Sequence, residues 1–176
     1  MLNKGFSLIE LLITVSILFI ILFISVPKLF YFENFFLQNE VDRLAGVFYY
    51  LQQKAITLNQ EQNLKLNLKL NSYFYSGKNN NIQTYVLPSI IKFGIIDGVL
   101  GPPTKPINVI KSVITFKQIK DNIFEVIFYP DGIISSGNIY FTDKHKKSLM
   151  ALSCPVSPYS CIRKYKYQKK LWAVVN

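Results

Sequence analysis

The chain has 176 residues, 20 Lys and Arg against 10 Asp and Glu, and a formal charge of +10, with half of its residues hydrophobic and 15% aromatic. That length allows one domain beyond an apolar anchor, with ample material for a core. One His and two Cys cannot complete a tetrahedral zinc site, and the positive balance suits an anionic surface or partner as much as it reflects solubility and Lys-rich, AT-rich coding.

The N-terminal run sets the plan. Residues 6–26 hold a single charge, Glu10, with Ser7, Thr14, Ser16 and Ser25 as the other polar side chains. As a helix this run spans roughly 31 Å, the thickness of a bilayer's hydrocarbon core. A carboxylate near its start costs about 2.5–3.5 kcal/mol on insertion scales, so something must neutralise Glu10.

Pro27 follows, and a proline after such a run either kinks or ends a helix. Leu37, Val41, Leu44, Phe48, Leu51, Ala55 and Leu58 then step by alternating fours and threes, one face of a helix that continues to about Asn59. Gln38, Asn39, Glu40, Asp42, Arg43, Gln52, Gln53 and Lys54 are assigned to the other face. Gly46 within this helix costs about 1 kcal/mol relative to Ala.

The period then changes to two. Residues 63–70 alternate Leu with Asn and Lys, as a half-buried strand does. Further strands are predicted at 82–87, 90–96, 113–119, 123–129, 133–135, 138–142, 149–152, 162–167 and 171–175. Loop signals stand at 77–81 and 98–106, and a turn at Pro130-Asp131-Gly132, where Pro fixes φ and Gly supplies a positive one. Strands in succession with no intervening helix predict antiparallel pairing in one or two sheets.

Lys4-Gly5-Phe6-Ser7-Leu8-Ile9-Glu10 resembles the N-terminal signal of type IV pilins and pseudopilins, in which a basic residue and Gly precede the cut and Glu follows five residues in. The resemblance implies cleavage between Gly5 and Phe6 by the membrane-embedded prepilin peptidase and N-methylation of Phe6. It also implies that the Glu10 carboxylate pairs with the N-terminal amine of a neighbouring subunit as helices bundle into a filament. Tyr50-Leu51-Gln52-Gln53-Lys54-Ala55-Ile56-Thr57 and Phe124-Glu125-Val126-Ile127-Phe128-Tyr129-Pro130-Asp131-Gly132 resemble the helix end and the strand with its Gly turn of H-type minor pseudopilins of type II secretion. Minor pilins of the fimbrial T type share that pattern.

Cys154 and Cys161, with six residues between them in Cys-Pro-Val-Ser-Pro-Tyr-Ser-Cys, read as a short-loop disulfide in a domain expected outside the cytoplasm, with two free thiols as the alternative. From Lys144 onward there are eight Lys and Arg and no acid. Arg163-Lys164-Tyr165-Lys166-Tyr167, with Lys169 and Lys170, interleaves cations with aromatics. That suits a nucleic-acid strand, or else forms a solvated edge that resists aggregation. Fimbrial T-type pilins carry a Gly-Arg-x-Arg element there that this chain lacks. His145 sits in a charged turn and reads as a solvated loop residue. No Gly-rich phosphate loop or paired carboxylates are present, and Asp121, Asp131 and Asp143 lack a calcium-loop pattern. No enzyme activity, cofactor or metal is expected.

The sequence therefore predicts an α+β, pilin-like chain. Its long N-terminal helix is transmembrane in its first half and packs by its second half on an antiparallel β domain. The divisions are leader 1–5, membrane half 6–26, amphipathic half 27–60 and β domain 61–176. The expected role is a minor pseudopilin of a type II secretion pseudopilus, held in the inner membrane with its domain outside the cytoplasm. Its partners would be other subunits, prepilin peptidase and secreted cargo. A type IV pilus minor pilin that captures extracellular DNA is the alternative.

Overall fold

The structure, a computed structural model, describes residues 7–77, 81–101, 107–156 and 161–175, with the side chains of 24–33 outside that description. The chain divides into two compact units, Met1–Phe35 and Phe36–Asn176. One helix, α1 (Leu8–Leu58), contributes to both and runs on through position 27.

In the second unit the expected stripe is the core. Leu37, Val41, Leu44, Phe48, Leu51 and Ala55 are fully buried, each stabilising by about 1.5–3 kcal/mol for the larger side chains. Leu58, at the end of the stripe, is exposed because the helix stops there. The stop is a Schellman motif: Asn59 adopts φ 50°, Gln60 N donates to Ala55 O at 3.1 Å and Asn59 N to Ile56 O at 3.3 Å.

The polar residues assigned to the other face do not all meet solvent. Glu40 is 5% exposed and accepts from the Tyr85 hydroxyl at 3.1 Å, while the Arg43 guanidinium lies 4.5 Å from the Tyr85 ring centre. Gln52 Nε2 donates to Gly132 O at 2.7 Å, and Lys54 Nζ to Ser76 O and Gly77 O at 2.9 and 2.8 Å. Strand material lies on both flanks of the stripe, so a helix position beside it is a contact position.

Ten strands follow. The first sheet, in the order β3-β2-β1-β6-β5, joins Ile82–Val86, Ser72–Ser76, Gln62–Asn67, Ile123–Phe128 and Lys117–Lys120. The second, in the order β10-β9-β8-β7-β4, joins Leu171–Val175, Arg163–Gln168, Leu149–Cys154, Gly137–Asp143 and Ile91–Phe93. Every pairing is antiparallel, as expected of two such sheets.

One core cluster combines the helix stripe with Leu64, Leu66, Val126 and Phe128 of the first sheet and Ile139, Phe141, Met150 and Leu152 of the second. Phe48 meets Phe128 edge to face at 5.2 Å between centroids. The other face of the second sheet has its own cluster of Tyr140, Leu149, Ala151 and Tyr165, covered by Val99 and Ile110. Trp172 ties that cover down by donating Nε1–H to Leu100 O at 2.8 Å. Covered on both faces, β8 is buried along its whole length.

Five strand expectations need correction, the first being 90–96, which forms a strand only at Ile91–Phe93, ahead of Gly94. Strand β2 was not anticipated, because Ser72-Tyr73-Phe74-Tyr75-Ser76 lacks simple alternation; its aromatic content was the available signal. The 63–70 strand ends at Asn67, where the chain turns: Asn67 Oδ1 accepts from Leu70 N at 3.0 Å and Asn71 takes φ 50°. Residues 113–119 pair only at the single bridge Ile114↔Ile139 before β5 begins, and 133–135 only at Phe128↔Ile134. The Pro130-Asp131-Gly132 turn forms as expected, with φ 84° at Gly132 and Asp131 Oδ1 accepting from Ile133 N at 2.9 Å.

Candidate functional site

At the head of α1, Leu11 N donates to Ser7 O at 3.2 Å, so Ser7 stands at the N-cap and Glu10 at the third helical position. Ser7 N in turn donates to Glu10 Oε2 at 3.4 Å, a long bond in the position of a capping box. Ser-Leu-Ile-Glu ahead of an apolar run is that box's sequence signature, and the role of Ser7 could have been read from it. The positive end of the helix dipole also favours the carboxylate there. Among the described residues, Glu10 Oε1 has no partner.

Leu8–Phe23 is apolar on all sides. Leu8 and Phe23 are 84% exposed, and Ile9, Leu11, Leu12, Ile13, Leu18, Phe19, Ile20, Ile21 and Leu22 are each more than half exposed. The two hydroxyls among them are turned onto the backbone, Thr14 Oγ1 to Leu11 O at 2.9 Å and Ser16 Oγ to Leu12 O at 2.8 Å. That leaves little hydrogen-bonding capacity for an apolar medium to strip. Among the described residues, no helix is long and apolar enough to cross a membrane. Phe6 and the side chains of 24–26, the ends of the expected span, lie outside the described residues, as do the expected cleavage position Gly5 and the methylation position Phe6.

Cys154 and Cys161, read from the sequence as a disulfide with two free thiols as the alternative, are both free thiols in the structure. Cys154 ends β8 with its side chain turned into the core cluster, while Cys161 is half-buried; 157–160 lie outside the described residues. Burial first, and the nearby Cys161 second, push the Cys154 thiol up to about 12.

The five C-terminal cations are spread over two faces of a strand and a turn. Lys164 is committed to Asp42 on α1 at 2.8 Å, a pair with side chains 22% and 40% exposed. Lys166 shares its face. Arg163 is on the opposite face, hydrogen-bonded to Tyr165 and to Cys161. Tyr165 is buried and cannot stack on a base, and Tyr167 rests 5.2 Å from the Trp172 ring. Lys169 and Lys170 form the β9–β10 turn, with φ of 48° and 64°. Of the other acids, Asp143 is 1% exposed and holds its own turn, accepting from Ser148 N at 2.6 Å and His145 N at 3.1 Å.

The family model for the prokaryotic N-terminal methylation motif matches residues 1–26. No curated protein matches the chain. Among solved structures, the fold is similar to that of the minor pseudopilin EpsH from the Type 2 Secretion System of Vibrio cholerae. The two are 6% identical with a TM-score of 0.49, over 72% of this chain and 94% of that one. The chain thus carries a prokaryotic N-terminal methylation motif, whose last 19 residues head a 51-residue helix.

Proposed function

We propose that the chain is a minor pseudopilin, a structural subunit of a type II secretion pseudopilus. It is cut between Gly5 and Phe6 by prepilin peptidase, methylated at Phe6, and held in the inner membrane by residues 6–26 until assembly draws it into a filament. Its work is mechanical rather than catalytic. The observation that carries this reading is the lone carboxylate of Glu10 under the methylation motif, at the head of a helix apolar on every side. Such a helix needs a lipid or protein surround. In that surround Glu10 gains most from a neighbouring subunit's N-terminal amine, because the Ser7 N–H offsets only part of the cost of burying the charge. The helix end and Gly turn at 44–57 and 124–132 favour a minor H-type subunit.

Coexpression with a prepilin peptidase tests the first step. The expected mass loss is that of residues 1–5 plus one methyl gain, abolished by Gly5→Ala. A protein that still begins at Met1 in the presence of active peptidase refutes the reading.

A further inference from the structure

Four strands stand at sheet edges, and two of them are guarded. β5 carries Lys117 and Lys120 and a register shift between Gln118 and Lys120. β4 is three residues long, and the Asn71 carboxamide occupies its free side, donating to Ile91 O at 2.7 Å and accepting from Phe93 N at 2.8 Å. These are the ways natural proteins blunt an edge. β10 has none of them: Leu171-Trp172-Ala173-Val174-Val175 is uncharged, free of Pro and in unbroken register with β9.

The turn fixes which backbone groups face outward. Lys169 and Lys170, both at positive φ, make a two-residue type I′ connection, so Gln168 and Leu171 form the hydrogen-bonded closing pair. Ala173 and Val175 then also bond β9, and the N–H and C=O groups of Trp172 and Val174 point away from the sheet. Among the described residues these four groups have no partner.

The side chains around this edge have a sign. Lys166 lies opposite Ala173, whose methyl leaves the ammonium free to reach across to a strand laid against β10. Lys169 and Lys170 stand exposed at the end of the same edge. On the other face, Val174 is 63% exposed beside Trp172. β3 is also unguarded, but no described cation lies in its register.

We infer that β10 is a docking edge for an extended, acidic polypeptide segment of a partner protein, added as a sixth strand. Its acids face Lys166, Lys169 and Lys170, and its alternate apolar residues face Val174 and Trp172. A row of outward peptide groups selects a polypeptide over a nucleic acid. This surface does not depend on the N-terminal reading.

The test uses the full chain in detergent micelles and a fluorescein-labelled peptide of alternating Glu and Val, followed by anisotropy at low salt. The peptide binds, and its version N-methylated on alternate amides does not. Val174→Pro removes one outward N–H while sparing the β9 ladder, and weakens binding about tenfold or more. Lys169→Asn with Lys170→Gly keeps a type I′ turn and lowers both affinity and salt dependence. Unchanged far-ultraviolet dichroism and Trp172 emission show that both variants are folded. Equal binding of the N-methylated peptide, or no binding at all, overturns the inference. So does duplex DNA binding that Val174→Pro leaves intact, or self-association that Val174→Pro abolishes, which would make a second copy the occupant.

Discussion

Through the single side chain of Asn71 the turn of one sheet is tied to the edge of the other. Asn71 sits between β1 and β2, yet its carboxamide bonds Ile91 O and Phe93 N along the free side of β4 in the other sheet, and its backbone carbonyl accepts from Leu87 N at 2.9 Å. Asn71→Ala removes the amide donor, a net loss of about 1 kcal/mol, and strands the N–H of the buried Phe93, another 1 kcal/mol or more. It also forces an L side chain without a local hydrogen bond to hold φ 50°, roughly 1 kcal/mol again. The sum is about 3 kcal/mol, or a fall in melting temperature of roughly 6–12 °C for a chain of this size. Asn71→Gly loses the same hydrogen bonds without the φ penalty and is expected to be about 1 kcal/mol better than Ala. Denaturant unfolding in micelles, followed by the emission of the sole tryptophan, Trp172, measures both. An Ala variant within about 0.5 kcal/mol of the parent, or a Gly variant no better than Ala, refutes this account.

Three further outcomes follow from the same geometry. A Cβ on the exposed Gly46 meets nothing within 4 Å, so Gly46→Ala is expected to stabilise by about 1 kcal/mol in the same unfolding assay. The Cys154 thiol is raised from the usual 9 to about 12, so the folded state holds its proton longer than the unfolded chain does. Stability from this group is complete below pH 9 and lost as pH rises toward 12, a fall on the order of 4 kcal/mol in reduced protein. Burial raises Tyr73 and Tyr140 likewise, steepening the fall above pH 10. Oxidising the two thiols to a disulfide removes the Cys154 part of that slope. At pH 8, iodoacetamide is expected to modify the half-buried Cys161 well before Cys154, read by peptide mass.

The helix was legible because its stripe repeats seven times, and the fold class because the period changes from near 3.6 to two at a single point. The buried flank was not. Glu40 is a carboxylate, and nothing in a helical wheel reveals that Tyr85, 45 residues on, supplies its hydrogen bond. Strand β2 hid because aromatic residues fit a strand without alternating apolar with polar. Strand alternation already divides the C-terminal basic run between two faces, Arg163, Tyr165 and Tyr167 on one and Lys164 and Lys166 on the other; what it does not show is that Lys164 pairs with Asp42 and that Tyr165 is buried, which leaves the open edge as the feature to explain. At the N-terminus, the methylation motif is legible in the sequence itself. The cap that Glu10 makes with Ser7 is written there too, in Ser7-Leu8-Ile9-Glu10.

That cap decides which substitution isolates the role of Glu10. A capping box accepts Gln as well as Glu at the third helical position, since either side chain can accept from the N-cap N–H. Glu10→Gln therefore keeps the helix start and removes the charge, whereas Glu10→Ala removes both. If the carboxylate exists to meet a neighbour's amine, both variants fail to assemble into filaments and fail equally, while peptidase processing continues. The measurement is crosslinking between subunits in membranes, with cleaved product quantified alongside. Should Gln assemble like the parent and Ala alone fail, Glu10 is a cap and no more. The cost of placing an acid in lipid would then have to be met by something other than a second subunit.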